Sequence, residues 1–146
     1  MSACITCIVP GQPIAKGRPR FSRYSGGAVT TYTPSRTVAY EQMVALCASR
    51  AAAHHAIGAP LRDAVSLQIV AVLRRPKRLH RRSDLRGRIA CAVRPDLDNV
   101  VKAVLDGLVR GGVLVDDRIV VQIHAEKWYA AVEEGPCCEI TVEKTC

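Results

Sequence analysis

Apolar positions recur along the chain with a period of two in some stretches and near three and a half in others. The switches between the two predict the order of elements. Residues 3 to 9 (Ala-Cys-Ile-Thr-Cys-Ile-Val) read as a strand ended by Pro10-Gly11. Pro13, Gly17 and Pro19 keep the next stretch extended, and Gly26-Gly27 can turn it into a short strand over residues 28 to 32. Ser35 stands as the cap of a helix over 36 to 53, with Val38, Met43, Val44, Leu46 and Cys47 as its apolar face. His54-His55 fall where that helix frays, near the negative end of its dipole, which suits them better than metal ligation. Gly58 and Pro60 stop it.

Val65, Leu67, Ile69, Ala71 and Leu73 alternate with polar positions and predict a strand over 64 to 73. Leu97, Val100, Val101, Val104, Leu105 and Leu108 carry the helical spacing, predicting a helix over about 97 to 109 that Gly111-Gly112 ends. Ile119, Val121, Ile123 and Ala125 mark one side of a strand over 119 to 129. Gly135-Pro136 then leads to a last strand over 137 to 142, with Cys138, Ile140 and Val142 facing inward. The order strand, helix, strand, helix, strand, strand specifies an α/β (α+β) fold with a mixed sheet and two main helices. The last two strands are expected as an antiparallel pair. At 146 residues the chain makes one domain.

Composition narrows the partners. The net charge is +8 and the pI about 9.4, with 16 Arg against 5 Lys. An arginine excess suits bidentate contacts to phosphate, so nucleic acid is the first partner to expect. No apolar run reaches the 18 residues of a membrane span, and Met1 to Cys7 lacks the basic start of a signal peptide. Seven cysteines, an odd number, read as reduced thiols in a cytosol. The Cys4-x-x-Cys7 pair lies in a strand pattern with no histidine near, so buried thiols fit it better than the alternative of zinc.

Two basic segments stand out. Lys16, Arg18, Arg20 and Arg23 line the extended stretch after the first strand. Between Arg74 and Arg94 there are nine Lys or Arg, including Arg74, Arg75, Lys77, Arg78, Arg81 and Arg82, and the single acid Asp84. This second segment is expected as a flexible basic loop. Both are candidate phosphate-tracking surfaces, with a solvated insertion as the plainer alternative.

Against this basic background, five of the seven aspartates fall between residues 96 and 117. Each has a plain role available. Asp96 can cap the helix that follows it, Asp98 and Lys102 can pair at i,i+4, as can Lys102 and Asp106, and Asp116-Asp117 can turn the chain. Together they suggest more. A 12-residue helix is roughly 18 Å long, and the segment from 110 to 117 is long enough to return over it. Three or four of these carboxylates would then share one space. Carboxylates so placed repel unless a cation joins them, and an all-oxygen donor set selects Mg²⁺, with Mn²⁺ able to substitute. Two such ions about 4 Å apart can activate a water and stabilise the leaving oxygen in phosphodiester hydrolysis, and Lys102 can neutralise charge developing on the phosphate.

Arg94-Pro95-Asp96-Leu97-Asp98-Asn99-Val100-Val101-Lys102-Ala103-Val104-Leu105-Asp106-Gly107-Leu108, followed by Val115-Asp116-Asp117-Arg118 and Glu126-Lys127, resembles the RusA family of Holliday junction resolvases. The segment from Lys16 to Phe21 is similar to that family's basic N-terminal stretch. The resemblance implies Mg²⁺-dependent homodimers that cut four-way DNA junctions symmetrically in recombination and repair, in a bacterial or phage-encoded, cytoplasmic protein. It also implies metal-binding catalytic roles for Asp96, Asp98 and Asp117, an essential role for Lys102, and supporting positions at Asp106 and Asp116. The alternatives are a non-catalytic basic DNA-binding module and a metal nuclease for another branched DNA. The segment from 74 to 94 is long for the family.

Overall fold

The computed structural model describes residues 3–18, 20–23, 26–32 and 34–145, with the backbone alone at 20, 22, 30 and 32. Strands β1 (Cys4–Pro10), β4 (Val65–Leu73), β5 (Ile89–Ala90), β6 (Val120–Tyr129) and β7 (Cys137–Lys144) form one sheet in the order β1-β7-β4-β6-β5. Strands β2 (Arg20–Arg23) and β3 (Val29–Tyr32) form a separate hairpin. Helices α1 (Ser35–His54) and α2 (Leu97–Arg110) pack on each other over one face of the sheet. The β4 and β6 strands run parallel, joined through α2, and every other pairing is antiparallel, so the sheet is mixed as expected.

The pairing of the last two strands corrects the expectation. β6 and β7 are not neighbours; β4 lies between them, parallel to one and antiparallel to the other. β4 is the most thoroughly apolar strand. Val65, Leu67, Ile69, Ala71, Val72 and Leu73 are all buried, so its two edges both need covering. A direct hairpin of β6 and β7 would leave one of those edges open.

The second helix follows its sequence pattern. Val100, Val104 and Leu108 are fully buried, with Leu97, Val101 and Leu105 half-buried beside them. The first helix departs from its own. Pro34, not Ser35, occupies the cap position, and the helix begins at Ser35 without a side-chain cap bond. Its buried face is Thr37, Tyr40, Glu41, Val44, Ala48 and Ala52, while Met43 and Leu46 are exposed. The true face contains a threonine and a carboxylate, so a hydrophobicity pattern misses its phase. The β6 strand also departs: Val121 and Ile123, predicted as part of a core side, are exposed, while Ile119 and Ala125 of that side pack against the core.

The two helices approach closely at glycine. A Cβ on Gly107 would meet Val44 Cβ and Cγ1 at 2.6 Å and the Glu41 carbonyl oxygen at 3.0 Å. One on Gly111 would meet the Ala45 carbonyl oxygen at 2.7 Å. These neighbours are backbone and a β-branched side chain, neither of which yields easily. Alanine at Gly107 would favour the helix by about 0.5–1 kcal/mol, but overpacking a core costs typically about 1–3 kcal/mol. The Gly107→Ala variant is therefore expected to lose stability, seen as a lower urea midpoint with an unchanged slope. A midpoint at or above that of the parent protein would show that the crossing opens without cost.

Candidate active site

Helix α2 carries the first half of the site. Asp96 holds the cap position, and its carbonyl accepts from Val100 N at 3.2 Å, but its carboxylate makes no cap bond. Asp98 lies in the first turn, and its carboxylate accepts from Asn99 N at 3.0 Å. The segment leading into Asp96 is pinned from β6. Lys127 Nζ donates to the carbonyls of Val93 at 2.6 Å and Pro95 at 2.7 Å. From the other side, Lys16 N donates to Asn99 O at 2.8 Å, which fastens the basic N-terminal stretch to the start of α2.

The second half arrives on a turn of 3-10 helix, Asp117–Ile119, that leads into β6. Asp116 caps this turn, accepting from Arg118 N at 2.9 Å. That backbone hydrogen bond holds the Asp116 carboxyl below its usual range. Asp117 then reaches Lys102, with its carboxylate 3.3 Å from the ammonium. The return of the later aspartate pair onto α2 is thus realised one helical turn beyond Asp98.

Lys102 is not paired as the i,i+4 spacing to Asp98 suggests. It binds Asp106 and Asp117, each at 3.3 Å. Asp106 in turn meets Lys16 at 3.0 Å, and Lys16 lies 2.6 Å from Glu41, whose other oxygen faces Arg110 at 3.7 Å. A single ladder therefore runs from the buried Glu41 on α1 to Asp117. Hydrogen bonding to Asp117, with that to Asp106, raises the Lys102 pKa above its ordinary value despite partial desolvation. For Lys16, burial opposes the charge, but its bonds to Glu41 and Asp106 prevail and also raise it.

This geometry sorts the candidate residues. Asp117, Lys102 and Asp106 are brought together. Asp96 and Asp98 stand at the helix mouth and form no ion pair among the described residues, where no three His, Cys, Asp or Glu side chains gather closely enough to hold an ion. The donor chemistry of Asp96, Asp98 and Asp117 fits a hard divalent cation, since all three are exposed and offer only oxygen. Beside them opens a cavity of about 670 Å³ lined by Ala15, Arg18, Arg94, Pro95, Asp96 and Asn99, so two guanidinium groups face the same space as the first aspartate. A smaller groove of about 490 Å³ crosses the strands at Gln68, His124 and Thr141, and holds none of these groups.

The basic residues divide as well. Arg18, Arg23, Arg74, Lys77, Arg78, Arg81 and Arg82 are exposed, with Arg81 also paired to Asp84 at 3.5 Å. The Arg20 side chain lies outside the described residues. Lys16 is engaged within the ladder. Arg75 is a clear correction. It is 5% exposed, and its guanidinium donates to the carbonyls of Ala130, Leu79, Leu85 and Gly87. The segment from 74 to 94 is wrapped around it, with a 3-10 turn at Lys77–Leu79, β5 near its far end, and Arg88 bound to Glu134 and Glu139, each at 2.7 Å. Arg75 continues the inward alternation of 65, 67, 69, 71 and 73, a signal the sequence offers. Glu41, Arg94 and Lys127 were not singled out by residue type. Glu41 sits at helical spacing between Thr37 and Val44.

Two outcomes test this account. In Arg75→Lys the ammonium cannot present a planar fork, so carbonyls are left short of donors at about 1–3 kcal/mol each. The variant should unfold at lower denaturant and lose amide-exchange protection around Leu79 and His80; protection unchanged there would remove Arg75 from its organising role. For Lys102, a folded pKa above 10.5 means that its paired state persists through neutral pH, and its stabilisation is lost as pH rises past that value. NMR titration of the Lys102 ammonium should give a midpoint above 10.5, and Asp106→Asn should lower it. An identical midpoint in both would show that Asp106 does not hold the lysine.

Comparison with known proteins identifies the family. The family model described as "Endodeoxyribonuclease RusA" matches residues 10–143. The chain is also similar to the uncharacterized protein YqaN of Bacillus subtilis (strain 168), at 31% identity over 146 residues, covering 97% of this chain and 96% of that protein. The match runs from the end of β1 through β7 and takes in the whole of the Asp96–Lys102 helix and the Asp117 turn, so the chain belongs to the RusA endodeoxyribonuclease family.

Proposed function

We propose that this protein is a Mg²⁺-dependent endonuclease that resolves four-way DNA junctions by paired, symmetric phosphodiester hydrolysis. The observation that carries the reading is the Lys102–Asp117 contact, which joins the two halves of the motif beside a cavity lined by Arg18, Arg94 and Asp96. The plain roles account for Asp106, which pairs with Lys102, and Asp116, which caps a turn, but not for the other two aspartates of the motif. Asp96 does not cap with its side chain, and Asp98 does not pair with Lys102. This favours the enzyme over a basic module whose acids only stabilise a helix.

Asp96, Asp98 and Asp117 would hold the divalent ion. Bound there, Mg²⁺ supplies Lewis acidity at the phosphodiester and a more acidic water. In the hydrolysis a water oxygen bonds to phosphorus, one ester P–O bond breaks, and the leaving oxygen gains a proton. Arg18 and Arg94 orient the phosphodiester by charge-assisted hydrogen bonds. The Lys102 ammonium, held by Asp106, balances charge developing on the phosphate. A four-way junction has two-fold symmetry, so paired cuts call for two sites related by a two-fold axis, hence a homodimer. The exposed arginines make affinity fall steeply with salt. No helix among the described residues is long and apolar enough to cross a membrane.

The test is a labelled four-way junction incubated with Mg²⁺, Mn²⁺ or EDTA, beside a flap and a linear duplex. Symmetric cleavage of the junction in the metal lanes alone is expected. Asp98→Asn should bind the junction as the parent protein does and leave it uncut. Full cleavage by Asp98→Asn would sink the assignment, and preferential cutting of the flap would move it to another branched substrate.

A further inference from the structure

The β2–β3 hairpin has no part in the site described so far. It pairs Arg20 with Tyr32, Phe21 with Thr31, Ser22 with Thr30 and Arg23 with Val29. Its strands pack chiefly on each other. Residues directly opposite share a face, as do residues two apart. Phe21, Arg23, Val29 and Thr31 therefore lie on one side of the ribbon.

That side is unusual in two respects. Phe21 is the one phenylalanine of the chain, and it is 72% exposed instead of buried in the core. Val29 beside it is 52% exposed. The charge around them has a single sign. No acidic residue occurs before Glu41, while Lys16, Arg18, Arg20, Arg23 and Arg36 all do. An exposed aromatic ring in a stretch of sequence rich in cations and free of acids suits a polyanion that also offers flat apolar surfaces. Nucleic-acid bases do so when they leave their stack, and base–aromatic stacking is indifferent to sequence.

The hairpin's position adds to this. Arg18 lines the cavity that also holds Asp96 and Asn99, and β2 begins two residues after it. The chain thus leads within two residues from the cavity lining to the hairpin. In intact duplex the base faces are covered by their neighbours. At a branch point the stack is interrupted and a face is within reach.

We propose that Phe21 is a structure-selectivity residue: it stacks on a base exposed at the branch point, while Arg23 on the same face contacts the adjoining phosphate. This rests on the proposed action on branched DNA. It separates two tasks along one short segment. Arg18 and Arg94 hold phosphate at the site, and Phe21 reports whether the strand is interrupted beside it.

The experiment measures binding, in EDTA, to a four-way junction carrying 2-aminopurine at the branch and to linear duplexes of the same sequence. Parent protein, Phe21→Ala and Phe21→Tyr are compared, with cleavage of the junction in Mg²⁺ run alongside. Because Phe21 is exposed, the variants should keep the fold, and their urea midpoints verify it. Loss of one stacked base should lower the junction affinity of Phe21→Ala about 10-fold, leave duplex affinity unchanged, and remove the 2-aminopurine response. Phe21→Tyr should retain all three properties. A junction-to-duplex ratio and 2-aminopurine response in Phe21→Ala equal to the parent's, with the parent cutting the junction, would overturn the inference alone. A parent protein that neither binds nor cuts the junction overturns both readings. If Phe21→Ala instead loses binding to phosphatidylserine vesicles while keeping junction selectivity, the ring serves a membrane surface and the inference fails.

Discussion

The buried carboxylate of Glu41 is the constraint from which much of the arrangement follows. It is 3% exposed, in the face of α1 that packs on α2. An ionised carboxylate taken out of water costs several kcal/mol, about 3–5 when its partner is then removed. It is tolerable only where cations reach it. Arg110 approaches from the last turn of α2, and Lys16 from the extended stretch after β1. Meeting that need draws three parts of the chain to one place. Lys16 cannot reach Glu41 unless the N-terminal stretch lies against the helices, and its backbone bond to Asn99 fixes where it lies. The Gly107 contact with the Glu41 carbonyl brings the helices close enough for one ammonium to touch acids on both.

From there the constraint passes into the site. Lys16 shares Asp106 with Lys102, and Lys102 shares itself with Asp117. A lysine on a flexible stem is a poor positioning device alone, because fixing it costs rotamer entropy. Held between two carboxylates, one of them fixed in turn by Lys16, it has little freedom left. The folding requirement and the geometry of the site are therefore met by one set of contacts. The opposite flank is held independently, by Lys127 on the carbonyls of Val93 and Pro95.

How far the sequence revealed this depended on which force placed each residue. α2, β4 and β7 were legible because burial of apolar side chains dominates them, and burial leaves a period. The aspartates were legible as a concentration of one charge in a chain of the other. The phase of α1 was not, since Thr37 and Glu41 are buried by pairing with partners far along the chain. Arg75 was misread for the same reason: its alternation with β4 points inward, but its charge suggests the surface until four carbonyls are found to receive it. The Asp98–Lys102 pair illustrates a further limit. Spacing shows which residues can meet, whereas competition from Asp117, 15 residues away, decides which do. Strand neighbours are equally non-local, which is why β4 was not foreseen between β6 and β7.

The charge balance of the ladder bears on the chemistry. Glu41, Asp106 and Asp117 carry three negative charges, and Lys16, Lys102 and Arg110 carry three positive ones, so the ion-paired set is neutral. Asp96 and Asp98 stand outside it at the positive end of α2. The helix dipole offers them partial compensation, worth typically about 0.3–1 kcal/mol for an exposed group, far short of a bound counter-charge. Were Lys102 instead drawn to Asp98, Asp117 would lose its anchor on α2. Neutrality of the paired set leaves the uncompensated charge at Asp96 and Asp98, beside the arginine-lined cavity. That is where the divalent cation and the phosphodiester are proposed to lie.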